Sequence, residues 1–164
     1  MDHQEVFNTI MEQCADSRVM IFSDGSVCGG SVGCGACAAV LFPASDNNHP
    51  LVETHAVGSK VSSYECEVEG VILGIRMALK YFENCQFRNL VEDVFIFSDC
   101  YAAIENIERM KFNTRPDIFI KIQDLRHQLL KLSIRIQLVH VKHILELQAT
   151  RWLISTLKNL LTRY

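Results

Sequence analysis

The spacing of apolar residues changes abruptly at Ser62, and this change restricts the folds open to the chain. Three short apolar runs separated by turn residues precede it, as is typical of strands: 18–23, 36–42 and 51–60. After it, apolar residues recur every three or four positions from Tyr64 to Phe82, which predicts a long amphipathic helix with Ser62 or Ser63 as its N-cap. An antiparallel three-stranded meander is therefore expected to lead into a helix.

Strands and helices alternate in the rest of the chain. The elements predicted there are a strand over 94–98, a short helix around 102–104, a helix over 116–131, a strand over 134–141 and a helix over 147–161. This order predicts an α/β fold with a five-stranded mixed sheet flanked by helices. We expect one domain over 18–164, preceded by an N-terminal extension over 1–17 in which a short helix is conceivable.

The composition limits the function classes. Hydrophobic residues make up 49% and charged residues 21%, which is typical of a globular protein rather than a disordered one. The net charge of −3 provides no general basic surface, so any nucleic-acid site is expected to be local. The N-terminus does not resemble a secretory signal peptide, and no apolar run reaches the length of about 20 residues that a transmembrane helix needs. We therefore expect an intracellular protein, cytoplasmic or nuclear, that does not bind a membrane. The seven cysteines are expected to be reduced thiols.

Two of the predicted strands end in the same dipeptide, Ser-Asp. Asp24 follows the first strand, before a turn predicted at Gly25 and Ser26, and Asp99 follows the fourth strand. In a sheet with parallel neighbours, such residues lie side by side beyond the carboxyl ends of the strands. Two close carboxylates ionise together only with a cation between them, and their oxygens suit Mg²⁺ or Mn²⁺. Either aspartate alone is equally explained as a turn residue or helix N-cap, but the repetition favours a metal site.

The long helix carries three acids near its start, Glu65, Glu67 and Glu69. Helical projection places Glu69 near Arg76 on a charged side that is expected to be solvated, with Glu65 at the border of that side. Glu67 falls on the opposite border of the apolar stripe, next to Gly70, where a sheet edge or a substrate can approach closely. The alternative is that all three are solvated surface acids.

Taken together and in order, these motifs resemble the type 1 ribonuclease H family, particularly the ribonuclease H domains of retroelements. The matching segments are Asp24-Gly25-Ser26, a glycine-rich second strand, Ser62-Ser63-Tyr64-Glu65-Cys66-Glu67 and Ser98-Asp99-Cys100. The resemblance covers about residues 18 to 160 and implies the strand order 3-2-1-4-5.

The same resemblance implies a metal-dependent endonuclease that hydrolyses the RNA strand of RNA–DNA hybrids with two ions of Mg²⁺ or Mn²⁺. Asp24, Glu67 and Asp99 match the family's catalytic metal ligands. A neighbouring reverse transcriptase or other domain is an implied partner. Contacts to the hybrid fall, by resemblance, on the segment 28–35 and on four residues: Gly25, Ser26, Ser62 and Ser63.

The last part of the chain departs from the family pattern. His143 matches the family's catalytic loop histidine but lacks the flanking glycines. The family's fourth aspartate falls at Thr150 or Leu153, neither of which binds metal as a carboxylate does, and Glu146 is the nearby acid that could substitute as a metal ligand. Two hypotheses stay open: an active enzyme, weakened or not, and an inactive module that binds nucleic acid or a protein partner.

Two further patterns are weaker. Cys34 and Cys37 have the spacing of a redox dithiol or half a zinc site, but no second pair follows, so a thiol-redox domain is a distant third hypothesis. Four scattered basic residues are expected to form a solvated helix face rather than a nucleic-acid-binding surface: Lys121, Arg126, Lys131 and Arg135.

Overall fold

The fold is taken from a computed structural model of the chain, which describes residues 19–43, 49–84, 93–112 and 114–141. The described strands and helices are, in order, β1 (Val19–Cys28), β2 (Val32–Phe42), β3 (Leu51–Ser62), α1 (Ser63–Asn84), β4 (Asp93–Ser98), α2 (Tyr101–Glu108), α3 (Pro116–Lys131) and β5 (Arg135–His140). Each strand and helix predicted within these ranges is present. The extension over 1–17, the final helix over 147–161, His143 and Glu146 lie outside the described residues.

The strands form one mixed sheet in the order β3-β2-β1-β4-β5, as predicted. β1 pairs antiparallel with β2, and β2 pairs antiparallel with β3. β4 pairs parallel with both β1 and β5. Because β1, β4 and β5 run in the same direction, their carboxyl ends lie at one edge of the sheet.

The predicted end of the first strand was wrong. β1 continues through Asp24, Gly25 and Ser26, because its pairing with β2 is unbroken as far as Cys28. A polar side chain does not end a strand whose backbone remains hydrogen-bonded to its neighbour. The actual turn contains Gly29 and Gly30, whose φ angles of 102° and 101° suit glycine far better than other residues.

The two faces of the sheet carry separate apolar clusters. The buried stripe of α1 packs on one face, against residues that include Ile21 and Ile96. Gly74 brings this helix close, since a β-carbon there would lie 3.1 Å from an Ile21 methyl carbon. On the other face Phe22 stacks on Phe97, with ring centroids 4.8 Å apart. None of the described helices combines the length and the apolar character that crossing a bilayer requires.

Candidate metal centre

The parallel pairing of β1 with β4 brings two aspartates to the same edge of the sheet. Phe22 of β1 is opposite Phe97 of β4, and two residues further along each chain lie Asp24 and Asp99. Asp24 is still within β1, whereas Asp99 follows the last residue of β4. The two carboxylates therefore lie side by side just beyond the last pair of the parallel β1–β4 ladder, as expected from the Ser-Asp repeat, although β1 itself continues to Cys28.

Glycine at position 25 allows the start of α1 to lie directly on β1. A β-carbon on Gly25 would overlap the backbone of Cys66 and the amide nitrogen of Glu67. Further along α1, a β-carbon on Gly70 would lie 3.1 Å from the carbonyl oxygen of Asp24. Two close approaches of backbone to backbone thus place Glu67 beside Asp24.

The three acids form one cluster. Asp24, Glu67 and Asp99 each offer a carboxylate oxygen, and these oxygens lie within 4.8 Å of one another. All three residues are partly buried. The family resemblance implied this set of residues, which lie far apart in the chain, and the fold brings them together.

Burial makes the joint ionisation of these carboxylates costly. Loss of hydration raises the pKa of Glu67, and the negative charges of Asp24 and Asp99 raise it further. Burial and then the charge of Asp99 likewise raise the pKa of Asp24, although the Gly25 amide donates a hydrogen bond to Asp24 Oδ1 at 3.0 Å. None of the ion pairs between described residues includes any of these three acids. The cluster is thus a local concentration of negative charge without a described cationic partner.

The donor set fits a divalent cation. Glu67 Oε2 is buried and, among the described residues, has no hydrogen-bond partner. A buried acceptor without a partner is costly, and a cation at the cluster would both pair with that oxygen and favour the ionised carboxylates. Three carboxylates and no described nitrogen or sulfur ligand suit Mg²⁺ or Mn²⁺ better than softer metals.

The residues predicted to contact a substrate lie on β1, which carries Asp24, and at the start of α1, which carries Glu67. Gly25 is buried and Ser26 is half-buried on β1, whereas Ser63 is exposed at the start of α1. Ser62 is the N-cap of α1: its hydroxyl accepts from the Glu65 amide at 3.2 Å, and the Glu65 carboxylate accepts from the Ser62 amide at 2.8 Å. This reciprocal arrangement is a capping box. The capping role of Ser62 is confirmed, and its hydroxyl also donates to Glu65.

The other two acids near the start of α1 are paired with basic residues of α3 and of the segment before it. Arg115 Nη1 lies 2.7 Å from Glu65 Oε1, and Lys121 Nζ lies 2.9 Å from Glu69 Oε1. The Glu69 side chain is only 11% exposed, so the expectation of a solvated Glu69 was wrong. Lys121 lies 52 positions away in the sequence, and projection of one helix cannot reveal such a partner. Lys121 was predicted to lie on a solvated helix face, but its ion pair with Glu69 places it in the contact between α3 and α1.

His140 also lies at the edge of the sheet that carries the carboxylate cluster, and sequence reasoning missed this residue. It is the last residue of β5 and pairs with Ser98, the residue before Asp99. Its Nε2 atom is 3.0 Å from the backbone oxygen of Asp99, and its ring packs edge-on to Tyr101. Aligning the ends of the predicted parallel strands would have indicated this position.

The Cys34 and Cys37 pair does not form a dithiol site. Three positions separate the two residues on β2, so their side chains lie on opposite faces of the sheet. Cys37 is fully buried, and burial raises the pKa of its thiol to about 12. A thiol in such surroundings is a poor nucleophile.

Solved structures share this fold. The N-terminal RNase H domain of rv2228c from Mycobacterium tuberculosis is 19% identical over 90% of this chain and 98% of its own, with a TM-score of 0.65. LC11-RNase H1, isolated from compost and solved with an RNA/DNA hybrid, is 14% identical over 87% of this chain and 99% of its own, with a TM-score of 0.61.

A longer viral protein contains the same fold as part of its chain. The foamy viral protease-reverse transcriptase, solved with an RNA/DNA hybrid, is 13% identical over 88% of this chain and 20% of its own, with a TM-score of 0.55. No protein-family model and no curated protein sequence matches the chain. The match therefore rests on structure, and it shows that the chain has the fold of the type 1 ribonucleases H.

Proposed function

We propose that this domain is a metal-dependent endonuclease that hydrolyses the RNA strand of RNA–DNA hybrids. The observation that carries the proposal is the convergence of Asp24, Glu67 and Asp99 just beyond the last pair of the parallel β1–β4 ladder, with a Glu67 oxygen left without a described partner. Clusters of this chemistry hold Mg²⁺ or Mn²⁺. The general nuclease function is supported by the fold, and the hybrid substrate by the complexes solved for similar structures.

Each acid has a distinct place in the proposed site. Asp24 and Asp99 offer oxygens from neighbouring strands, and Glu67 offers one from the helix that crosses them. Two bound ions would activate a water molecule and stabilise the leaving oxygen during displacement at phosphorus. The three carboxylates would hold those ions, and the positive charge of the ions would in turn favour the ionised form of the carboxylates.

Substrate contacts are proposed on both sides of the cluster. Gly25 and Ser26 lie next to Asp24, and Ser63 is exposed at the start of α1. The Ser62 hydroxyl is already bonded to Glu65, so Ser62 contributes by fixing the start of the helix. Hydroxyl and backbone groups at such positions are suited to the 2′-hydroxyls of an RNA strand. The segment 28–35 extends the same strand pair away from the cluster.

Two proposed residues lie outside the described part of the chain. His143 is proposed to assist proton transfer or product release, and Glu146 to replace the family's fourth carboxylate as a metal ligand. A neighbouring reverse transcriptase domain is proposed as a partner that increases the affinity for the hybrid. The foamy viral protein supports this proposal, because a similar fold forms part of its protease-reverse transcriptase chain. The net charge of −3 makes strong binding by this domain alone unexpected.

The test is cleavage of an end-labelled RNA–DNA hybrid with Mg²⁺ and, separately, with Mn²⁺. The RNA strand should be cut by the wild-type protein, and Asp24→Asn should abolish cutting. Asp124→Asn is the matched control, because it removes an exposed carboxylate on α3 that bonds only within its own helix to Gln128 among the described residues. Glu146→Gln, tested alongside, should lower the rate if Glu146 is the fourth ligand.

The second candidate is an inactive module that binds nucleic acid or a protein. It is favoured by the absence of an aspartate at Thr150 and Leu153, where the family's fourth carboxylate falls. Hybrid binding by a folded protein that cuts with neither metal would support this candidate and overturn the nuclease. Cleavage that survives Asp24→Asn would point to a contaminating enzyme and overturn the assigned site.

A further inference from the structure

The hairpin between β1 and β2 places two cysteines opposite each other. Cys28 is the last residue of β1, and its partner in the unbroken antiparallel register is Cys34 of β2. Opposed residues of an antiparallel pair have Cα atoms about 4.5 to 5.5 Å apart, whichever hydrogen-bonding class they belong to. A disulfide needs a Cα separation of roughly 4.4 to 6.8 Å. The backbone meets this requirement as it stands.

Both thiols are on one face of the sheet, and that face is open at this end. Residues directly opposite each other on antiparallel strands project to the same side. The neighbouring pair, Val27 and Gly35, faces α1, since a β-carbon on Gly35 would contact both Val27 and Cys66. Cys28 and Cys34 therefore project away from α1. Cys28 is exposed and Cys34 partly exposed, and both are free thiols.

The turn that joins the two cysteines can adjust to a crosslink. Its Gly29 and Gly30 have positive φ angles, and Gly33 lies so close to the Cys28 carbonyl that a β-carbon there would overlap it. Opposed β-carbons of a strand pair are about 4.5 to 5.5 Å apart, whereas a disulfide holds them at about 3.5 to 4.5 Å. Glycines on both sides of the pair allow this small closure through backbone rotation.

We propose that Cys28 and Cys34 form a reversible thiol–disulfide modification site, oxidised by small-molecule disulfides such as oxidised glutathione. The Cys28 thiol loses its proton, and its sulfur attacks the reagent's S–S bond, forming a mixed disulfide and releasing one reagent thiolate. The Cys34 thiolate then attacks the Cys28 sulfur, forming the protein disulfide and displacing the second reagent thiolate. The protein loses two electrons and two protons, and the reagent gains both as two thiols.

Of the three other described cysteines, Cys100 is partly exposed but follows β4, outside the hairpin. Cys37 and Cys66 are buried, and burial raises the pKa of their thiols to about 12 and about 11. Exposed disulfides of this kind are more easily reduced than buried structural ones, so the modification is expected to be reversible. The site is also separate from the carboxylate cluster, being four residues, or about 14 Å, along β1 from Asp24.

The test measures thiols and not cleavage, so its outcome is independent of the proposed nuclease function. The native full chain is equilibrated with mixtures of reduced and oxidised glutathione, free thiols are trapped by alkylation, and the protein is digested and sequenced by mass spectrometry. In the wild type we expect Cys28 and Cys34 to become joined and protected together while Cys37 stays alkylatable after unfolding. Added dithiothreitol should restore both thiols.

Three variants separate the possible pairings. Cys28→Ser and Cys34→Ser should each form no intramolecular disulfide and should instead retain a mixed disulfide with glutathione on the remaining cysteine. Cys37→Ala removes the cysteine that is closest to Cys34 in sequence, and this variant should still form the disulfide between Cys28 and Cys34. Fragment ions between positions 34 and 37 locate the crosslink in the wild type, so the assignment does not depend on the folding of the Cys37 variant. Crosslinking of Cys34 to Cys37, crosslinking that persists in Cys28→Ser, or no crosslink at any glutathione ratio would overturn the proposal.

Discussion

Gly25 of β1 lies directly against the backbone of Cys66 at the start of α1. A β-carbon at position 25 would overlap the Cys66 carbonyl group and the Glu67 amide nitrogen. The same contact holds Glu67 beside Asp24, so the packing of α1 and the geometry of the carboxylate cluster depend on the same missing side chain.

Gly25→Ala is therefore expected to impair both folding and metal binding. Because backbone atoms rather than a flexible side chain must move, we expect the free energy of unfolding to fall by about 3 kcal/mol, the upper part of the range for overpacking. The measurement is urea unfolding of the metal-free protein, followed by titration with Mn²⁺. Gly58→Ala is the control, because its β-carbon would meet only a Val61 methyl carbon, at 3.0 Å. Equal stability of the two variants would contradict the close approach of α1.

Features that depend on local pattern could be predicted from the sequence. The long helix is recognisable from its three- and four-residue spacing, and the first and fourth strands are recognisable from their apolar runs. Asp24 and Asp99 could be paired from the repeated Ser-Asp motif, but adding Glu67 to them required the family resemblance, because glycines make the contact that brings α1 to β1.

Features that depend on contacts distant in sequence could not be predicted. The end of β1 was misjudged because pairing with β2, and not the polarity of Asp24, decides where the strand ends. The burial of Glu69 was missed because Lys121 covers it from another helix. The pairing of Cys28 with Cys34 requires the register of the hairpin, whereas the sequence pattern favoured Cys37.

The carboxylate cluster is expected to make the metal-free protein less stable as the pH rises from acid to neutral. The pKa values of Asp24 and Glu67 are raised in the folded protein, so below their ordinary values of 3.8 and 4.5 both carboxyls are protonated in folded and unfolded chains alike. Above those values the unfolded chain ionises first, and stability falls until the folded carboxyls ionise as well. Acids with raised pKa values therefore destabilise the protein at higher pH.

Glu67→Gln should remove much of this pH dependence. In EDTA we expect the variant to be more stable than the wild type at pH 8 by on the order of 1 kcal/mol, since one pKa unit corresponds to about 1.4 kcal/mol. The gain should be smaller at pH 5. Thermal unfolding at the two pH values measures the difference, with Asp124→Asn as a control whose exposed carboxylate should give no such gain. A stability gain that is larger at pH 5 than at pH 8 would contradict a raised pKa of Glu67 in the folded protein.

Divalent cations are expected to stabilise the wild type by relieving the same repulsion. A ligand that binds only the folded state at about 100 times its Kd adds about 2.7 kcal/mol. Mg²⁺ or Mn²⁺ should therefore raise the Tm of the wild type and of Asp124→Asn, but not that of Asp24→Asn or Glu67→Gln. Differential scanning calorimetry in EDTA and in each metal provides the comparison. Equal shifts in all four proteins would show that the ions bind elsewhere.

Ser62 and Ser63 are adjacent but should respond differently to substitution. Ser62→Ala removes the hydroxyl that caps α1 through Glu65, and loss of an N-cap costs about 1 kcal/mol, whereas Ser62→Thr keeps a capping hydroxyl and most of the stability. Ser63 is exposed, so Ser63→Ala should change the free energy of unfolding by less than about 0.5 kcal/mol.

Hybrid affinity, measured well below the unfolding temperature, should show the opposite order. Ser63→Ala should weaken binding of an RNA–DNA hybrid more than Ser62→Ala does, because the Ser62 hydroxyl is already bonded to Glu65 while Ser63 is open to a ligand. Unfolding in urea and fluorescence anisotropy of a labelled hybrid separate the two effects. If Ser62→Ala were fully stable yet lost affinity, its hydroxyl would contact the hybrid rather than the helix, and the capping box would not form in solution.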